Sequence, residues 1–186
     1  MSDHEGTSRG FGFYAPFILT ALLLAADQIT KALVIAGIPE GRIAWSWGGD
    51  FFWLVHARNL GIAFSIGDEL GMGLRRALFI ALPAILITGA LVYYFKGKGI
   101  TKFQHWLLAI LVAGGLGNLI DRVFRPDGVV DFLSFKFFGI FGLERWPTFN
   151  IADMCVLCSA ILLALTSFSS EGDKAGPGKP AKGKKK

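Results

Sequence analysis

Four long apolar stretches constrain this chain more than anything else in it. They cover about residues 11–36, 77–95, 103–120 and 151–168, and each reaches or approaches the ~20 residues a helix needs to cross a bilayer. The second carries no charge, and the third has His105 as its one ionisable group. A helix in a soluble core keeps a polar face toward water, whereas these stay apolar around the whole circumference. The pattern predicts a polytopic, all-α membrane protein with four transmembrane helices. The first stretch, with Arg9 before it and Ala25-Ala26 near its end, invites comparison with a cleavable secretion signal. Leu24 breaks the small-x-small pattern and the apolar run exceeds a usual signal core, so an uncleaved first span is expected.

The net charge of +5 on 186 residues suggests a nucleic-acid partner until its distribution is considered. Residues 171–186 carry six Lys against two acids, while the remaining 170 residues carry thirteen basic and twelve acidic groups. The basicity belongs to a tail, and no nucleic-acid partner is implied. Four spans put both termini on one side together with Lys96, Lys98 and Lys102, which collects ten basic groups there against eight opposite. The excess predicts cytoplasmic termini, with Arg75 and Arg76 counting the other way. The chain therefore divides into an N-terminal cytoplasmic tail (1–10), a membrane domain (11–168) and a disordered basic cytoplasmic tail (169–186) whose Lys residues are available to anionic lipid. Two segments remain on the outer side. One, about 38–76, holds Trp45, Trp47, Phe51, Phe52 and Trp53 between glycines, which suggests short strands or an interfacial cradle. The other spans about 122–150.

Ionisable residues inside or at the ends of apolar spans are costly, and by default they mark function. Asp27 and Lys31 lie four apart, acid first, on one helix face. Asn118, Asp121 and Arg122 follow the i, i+3, i+4 spacing of another, while Asp131, Asn150 and Asp153 lie downstream. From Phe11 to Asp27 a helix rises about 24 Å, most of a ~30 Å hydrocarbon core. Alternating helix directions then bring Asp27, Asp121, Asp131 and Asp153 to the same, outer, face. Plainer readings stand beside this one: Asp27/Lys31 as a simple salt pair, and Asp121-Arg122 as a pair that caps the third helix. Gly114-Gly115-Leu116-Gly117 reads as close helix packing, since no strand precedes it. Cys155 and Cys158 read as buried small hydrophobes. His105 falls at the opposite end of its span.

No His cluster, Cys ligand set or Ser-His pairing accompanies the acids, and their spacing is not diagnostic of a metal site, so neither metal nor cofactor is expected. Two carboxyls that share one proton can activate a water and protonate a leaving amine, because like charges against a low-dielectric wall cannot both ionise. Spacing alone leaves open which two of Asp27, Asp121, Asp131 and Asp153 would pair.

Five blocks in order resemble the lipoprotein signal peptidase (signal peptidase II) family of bacterial membrane aspartic proteases. They are Asp27-Gln-x-Thr-Lys31, Asn59-x-Gly-x-Ala-Phe64, Gly114-Gly-x-x-Asn118-x-x-Asp121-Arg122, Val129-Val-Asp131-Phe132 and Phe149-Asn-x-Ala-Asp153. The resemblance spans about residues 13–168. It implies a four-helix membrane bundle with a small periplasmic β-rich cradle and a short amphipathic helix. It implies Asp131 and Asp153 as the catalytic pair, with Asn59, Asn118, Arg122 and Asn150 around the substrate. Asp121, Asp27 and Lys31 then read as support. The implied activity is removal of signal peptides from diacylglyceryl-modified prolipoproteins, just before the lipidated Cys, by a monomer surrounded by membrane lipid. Two rivals remain: a proton- or cation-coupled transporter using the acids as a relay, and a non-catalytic lipid-binding assembly factor.

Overall fold

A computed structural model describes residues 10–61 and 72–172. The tail before residue 10, the Lys-rich tail beyond 172 and the 62–64 end of the Asn59 block lie outside the described residues. Helix α1 (Phe11–Tyr14) passes through Ala15, itself helical, into α2 (Pro16–Gly37). Pro16 sits at the first position of α2, where its missing N–H costs no helical bond. Then come β1 (Ile43–Trp47), β2 (Phe52–Asn59), α3 (Met72–Lys96), α4 (Lys102–Phe124), β3 (Val129–Ile140), β4 (Leu143–Arg145) and α5 (Ile151–Gly172). Phe11–Gly37, Ala77–Lys96 and Lys102–Phe124 are long and apolar enough to cross a membrane, and Ile151–Ser167 is a shorter apolar helix. The separate amphipathic helix implied by resemblance is not found among the described residues.

The helices outrun their apolar stretches. Helix α3 begins at Met72, before Arg75 and Arg76, and α4 continues past Ile120 through Asp121 and Arg122. Charge ends a hydropathy stretch without breaking the backbone ladder. What ends α4 is Pro126, which pushes Arg125 out to an extended conformation (φ −115°, ψ 102°). Its start is a capping box, in which Thr101 accepts from the Gln104 N–H and Gln104 accepts from the Thr101 N–H.

Helix α4 is the axis of the bundle and packs against α2, α3 and α5. Its most apolar window is 50% buried, against 22% for the first helix and 11% for α3. Glycines allow this approach, as expected for the Gly114-Gly-Leu-Gly117 segment. A Cβ at Gly114 would meet the Ala152 carbonyl and lie 2.9 Å from Cys155 Cβ on α5, and one at Gly115 would lie 2.7 Å from Ile87 on α3. At Gly117 it would stand 2.6 Å from Asp27 Oδ2 and 3.0 Å from Ala152 Cβ. Thr20 adds a hydrogen bond from Oγ1 to the Ala109 carbonyl at 2.9 Å, joining α2 to α4. Cys155 is buried, but Cys158 faces outward, so only one of the pair fills the core as expected.

The strands form one antiparallel sheet in the order β1-β2-β3-β4. The β2–β3 register sets Ala57 opposite Asp131 and Asn59 opposite Val129. Val34 and Ile38 at the end of α2 pack with Val130 and Phe132 of β3, which fixes the sheet to the bundle. Phe149 bridges to Leu133 immediately before α5 begins. At the other end of the bundle, Tyr94 donates to the Phe13 carbonyl within a ring cluster that includes Phe17, Phe95 and His105.

The glycine packing yields a direct expectation. Gly117→Ala pushes a methyl group into Asp27 and Ala152 and lowers stability by about 1–3 kcal/mol, the usual range for overpacking. Thermal unfolding in detergent micelles measures it, and an unchanged midpoint contradicts the close approach.

Candidate active site

Lys31 is the centre of the polar cluster. Its side chain is fully buried, and Nζ lies 2.9 Å from Asp27 Oδ2, 3.1 Å from Asp121 Oδ2 and 3.0 Å from Asn118 Oδ1. A lone ammonium in such surroundings is prohibitively expensive, whereas two carboxylates and an amide oxygen satisfy its three donors. The carboxylates have further partners. Gln28 donates to Asp27 at 3.1 Å and to Asp121 at 3.2 Å. Arg125, one turn beyond Asp121, pairs with Asp121 Oδ1. Lys31 and Arg125 thus balance Asp27 and Asp121. The simple Asp27/Lys31 salt pair is real but is only one edge of this network. Asp121 takes Lys31 and Arg125 as its ionic partners, so the expected Asp121-Arg122 pair is not what forms. Arg125 lies four residues on, over the same helix face, whereas Arg122 is adjacent and points elsewhere.

From this balanced layer the network reaches the segments that carry Asp131 and Asp153. Asp27 Oδ1 accepts the Ala152 N–H at 3.0 Å, capping an otherwise orphan donor in the first turn of α5. Asp121 Oδ2 accepts the Val130 N–H at 3.1 Å, next to Asp131. Asn150 precedes α5 as its N-cap. Its Oδ1 accepts the Asp153 N–H at 2.9 Å, and Asp153 Oδ2 accepts the Asn150 N–H at 3.1 Å. This reciprocal arrangement is a capping box built from Asn and Asp.

Three asparagines hold the two carboxyls. Asn118 Nδ2 donates to Asp153 Oδ1 at 2.7 Å. Asn150 Nδ2 donates to Asp131 Oδ1 at 2.6 Å and to Asn118 Oδ1 at 3.1 Å. Asn59 Nδ2 donates to Asp131 Oδ2 at 3.0 Å, while its own Oδ1 accepts the Gly61 N–H at 2.8 Å. Gly61 has φ +81°, a conformation that favours glycine. The Asn118 oxygen accepts from both Lys31 and Asn150, so one ammonium orients the amides on both sides. Arg122 is half-buried, and its charge acts on Asp153 first, then Asp131 and Asp121.

Asp131 is buried, and Asp153 is near enough for its charge to matter. Desolvation is the larger cause and the Asp153 charge the second, and together they push the Asp131 carboxyl up to about 7. The hydrogen bonds from Asn59 and Asn150 and the charge of Lys31 oppose this shift. Asp131 therefore holds its proton close to neutrality. A cleft of about 370 Å³ opens onto it, lined also by Ala57, Asn59, Leu60, Pro147 and Thr148. Among the described residues, no three His, Cys, Asp or Glu side chains are arranged to hold a metal ion.

The structure thus brings Asp27, Lys31, Asn59, Asn118, Asp121, Asp131, Asn150 and Asp153 into one hydrogen-bonded network, with Arg122 beside it. Sequence reasoning missed Gln28 and Arg125. Both had a signal: Gln28 adjoins Asp27 in a quoted block, and Arg125 stands at the same acid-first, four-residue spacing that singled out Lys31. Lys31→Met leaves Asp27 without an ionic partner and Asp121 with Arg125 alone, and loss of one partner from a buried ion pair costs about 3–5 kcal/mol. Unfolding of the variant in micelles should show that loss, and a cost under about 1 kcal/mol, the value of an exposed pair, contradicts the buried network.

Comparison with known proteins places this arrangement in a family. The sequence profile described as signal peptidase (SPase) II matches residues 19–169. A lipoprotein signal peptidase from Borrelia garinii is 42% identical over 157 residues, covering 84% of this chain and 91% of that protein. One from Treponema denticola is 42% identical over 153 residues, covering 82% and 88%. A bacterial membrane enzyme solved by the in meso method at 2.3 Å superposes with a TM-score of 0.71 at 25% identity, covering 89% of this chain and 94% of that one. With a family profile over most of its length, relatives of this identity and a shared membrane-enzyme fold, the chain belongs to the signal peptidase II family.

Proposed function

We propose that Asp131 and Asp153 are the catalytic pair of an aspartic endopeptidase that removes signal peptides from diacylglyceryl-modified prolipoproteins, cutting immediately before the lipidated Cys. One observation carries the reading. Two carboxyls, Asp131 buried and Asp153 half-buried, are each held by side-chain amides at the end of an apolar bundle, and Asp131 keeps its proton to about 7. The relatives' name, lipoprotein signal peptidase, supplies the substrate class.

In this scheme Asp153 is ionised and takes a proton from a water as its oxygen attacks the scissile carbonyl carbon. Asp131 donates its proton to the carbonyl oxygen. The resulting diol collapses by returning a hydroxyl proton to Asp131, while the proton on Asp153 passes to the leaving nitrogen. Both carboxyls end as they began, and the peptide has gained one water. Asn59, Asn118 and Asn150 hold the carboxyls in place, and Arg122 orients the peptide near both. Asp27, Lys31 and Asp121 keep β3 and α5 at their separation.

Four spans over about 11–36, 77–95, 103–120 and 151–168 form the membrane domain, between short cytoplasmic termini. The basic excess around the termini and the Lys96–Lys102 turn supports that orientation. The site then lies at the periplasmic boundary of a bacterial inner membrane, where a monomer can receive a lipid-bearing substrate sideways. The transporter reading has no support from the relatives, and an assembly factor needs no carboxyl that holds a proton at neutrality.

Asp131→Asn and Asp153→Asn should each abolish cleavage of a lipidated prolipoprotein while leaving the unfolding midpoint in micelles near wild type. Loss of acid–base catalysis alone is worth roughly 10²–10⁴-fold, and the pair acts as a unit. Cleavage retained by either variant removes the assignment. The pH profile gives a second test. The protonated form of Asp131 is required, so the rate falls as pH rises through about 7, by roughly tenfold per unit once the proton is lost. Asn59→Ala removes a hydrogen bond that favours the carboxylate, so this limb moves to higher pH.

A further inference from the structure

The end of the sheet farthest from the acids carries backbone and side-chain features that the peptidase reading does not use. Between β3 and β4 the loop is two residues long, Phe141-Gly142, with Ile140 paired to Leu143. Both loop residues have positive φ, 54° and 77°. Two-residue loops of this kind favour Asn-Gly or Asp-Gly, because a bulky side chain is strained there. The irregularity just before it repeats the pattern, with Phe138 at φ 55° and Gly139 at φ 77°. The neighbouring β1–β2 turn has the expected residues for such angles, Gly48, Gly49 and Asp50. Phenylalanine twice in a left-handed position, where asparagine fits better, sacrifices backbone comfort for an apolar side chain.

Those side chains have little protein to pack on. Phe141 is 91% exposed, Phe138 66% and Ile140 50%. The patch continues onto the other turn, where Phe51 stacks on Phe138 at 6.2 Å and Trp47 is exposed. Just behind the tip lie two cations. Lys136 sits 5.8 Å above the Phe138 ring, and Arg145 stacks on Trp53 at 3.4 Å while holding Ser134 and the Asp50 carbonyl. Aromatics in front of Lys and Arg match the two layers of a lipid surface, acyl boundary and phosphate.

Short tethers keep the hairpin close to the bundle. Only residues 125–128 and 146–150 separate the hairpin from α4 and α5. From Asp131 to Phe141 the strand reaches about 30 Å at ~3.3 Å per residue. Held upright, it would carry a bare aromatic cluster that far into water, which soluble surfaces avoid. Laid outward beyond the bundle, it puts the same cluster at headgroup depth, continuous with the apolar surface of the helices.

We propose that the Phe138–Leu143 tip is a membrane-inserted wedge whose occupant is the lipid bilayer itself, with Phe138 and Phe141 buried at the acyl boundary and Lys136 and Arg145 meeting lipid phosphates. It anchors the free end of the sheet, and it stands whether or not the peptidase assignment does. The test uses the full chain in nanodiscs of phosphatidylethanolamine and phosphatidylglycerol, with Cys155→Ala and Cys158→Ala. Spin labels are attached at Phe138→Cys, Ile140→Cys and Phe141→Cys in separate preparations. The expected result is ready collision with oxygen and exclusion of a nickel chelate, giving an accessibility ratio several-fold above an aqueous reference label. Access to the nickel chelate overturns the proposal. Shielding from both reagents also overturns it, since that means another part of the protein or a second copy covers the tip. Phe138→Asn with Phe141→Asn relieves the backbone, so the unfolding midpoint in micelles holds or rises. In that background the Ile140→Cys label should shift to an aqueous ratio, and a label that stays at lipid depth shows the phenyl groups are not the anchor.

Discussion

The buried ammonium of Lys31 is the interaction on which the rest of the site depends. A charge with no access to water must be paid for by its surroundings, and here Asp27, Asp121 and Asn118 share the task. Each of those groups then reaches one element further. Asp27 caps α5, Asp121 holds the start of β3, and Asn118 grips Asp153. The ion cluster therefore does not merely satisfy itself; it sets where β3 and α5 stand relative to α2 and α4. Two carboxyls twenty-two residues apart in sequence come together because a pair of helices, α2 and α4, positions the segments that carry both.

Close packing of α4 makes this geometry available. Without a Cβ at Gly117, Asp27 can lie directly against the α4 backbone and still reach the Ala152 N–H. A membrane bundle lacks a hydrophobic force between its helices, so small residues and hydrogen bonds such as Thr20 to Ala109 carry the association. The same glycines that tighten the bundle thus bring the buried acids within range of their donors.

Electrostatics divides the four acids by their surroundings. Asp27 and Asp121 each have a cationic partner in direct contact, whereas Asp131 has amide donors and the more distant charges of Lys31 and Arg122 against burial and Asp153. The difference separates structural carboxylates from one that keeps a proton near pH 7, within a single cluster.

Much of this was legible in the residues. Hydropathy marked the apolar helices, because lipid demands side chains that are apolar on all faces. Polar groups at the ends of those helices stood out because burial makes them expensive, and five blocks pointed to the family. Helix ends were less legible: Arg75, Arg76, Asp121 and Arg122 end an apolar stretch without ending a helix, and Pro126 does what they do not. Which groups pair was not legible at all. Spacing suggested Asp121 with Arg122 and left the choice among four acids open, since a one-dimensional pattern holds no record of which faces meet. Only the tertiary structure decided that Arg125 and Lys31 neutralise Asp121, that Gln28 joins two carboxylates, and that Asn150 caps α5 while donating to Asp131. The physical reason is that composition and periodicity determine which groups must be buried, while partner choice depends on distances and directions that exist only once α2, α4, α5 and β3 are packed together.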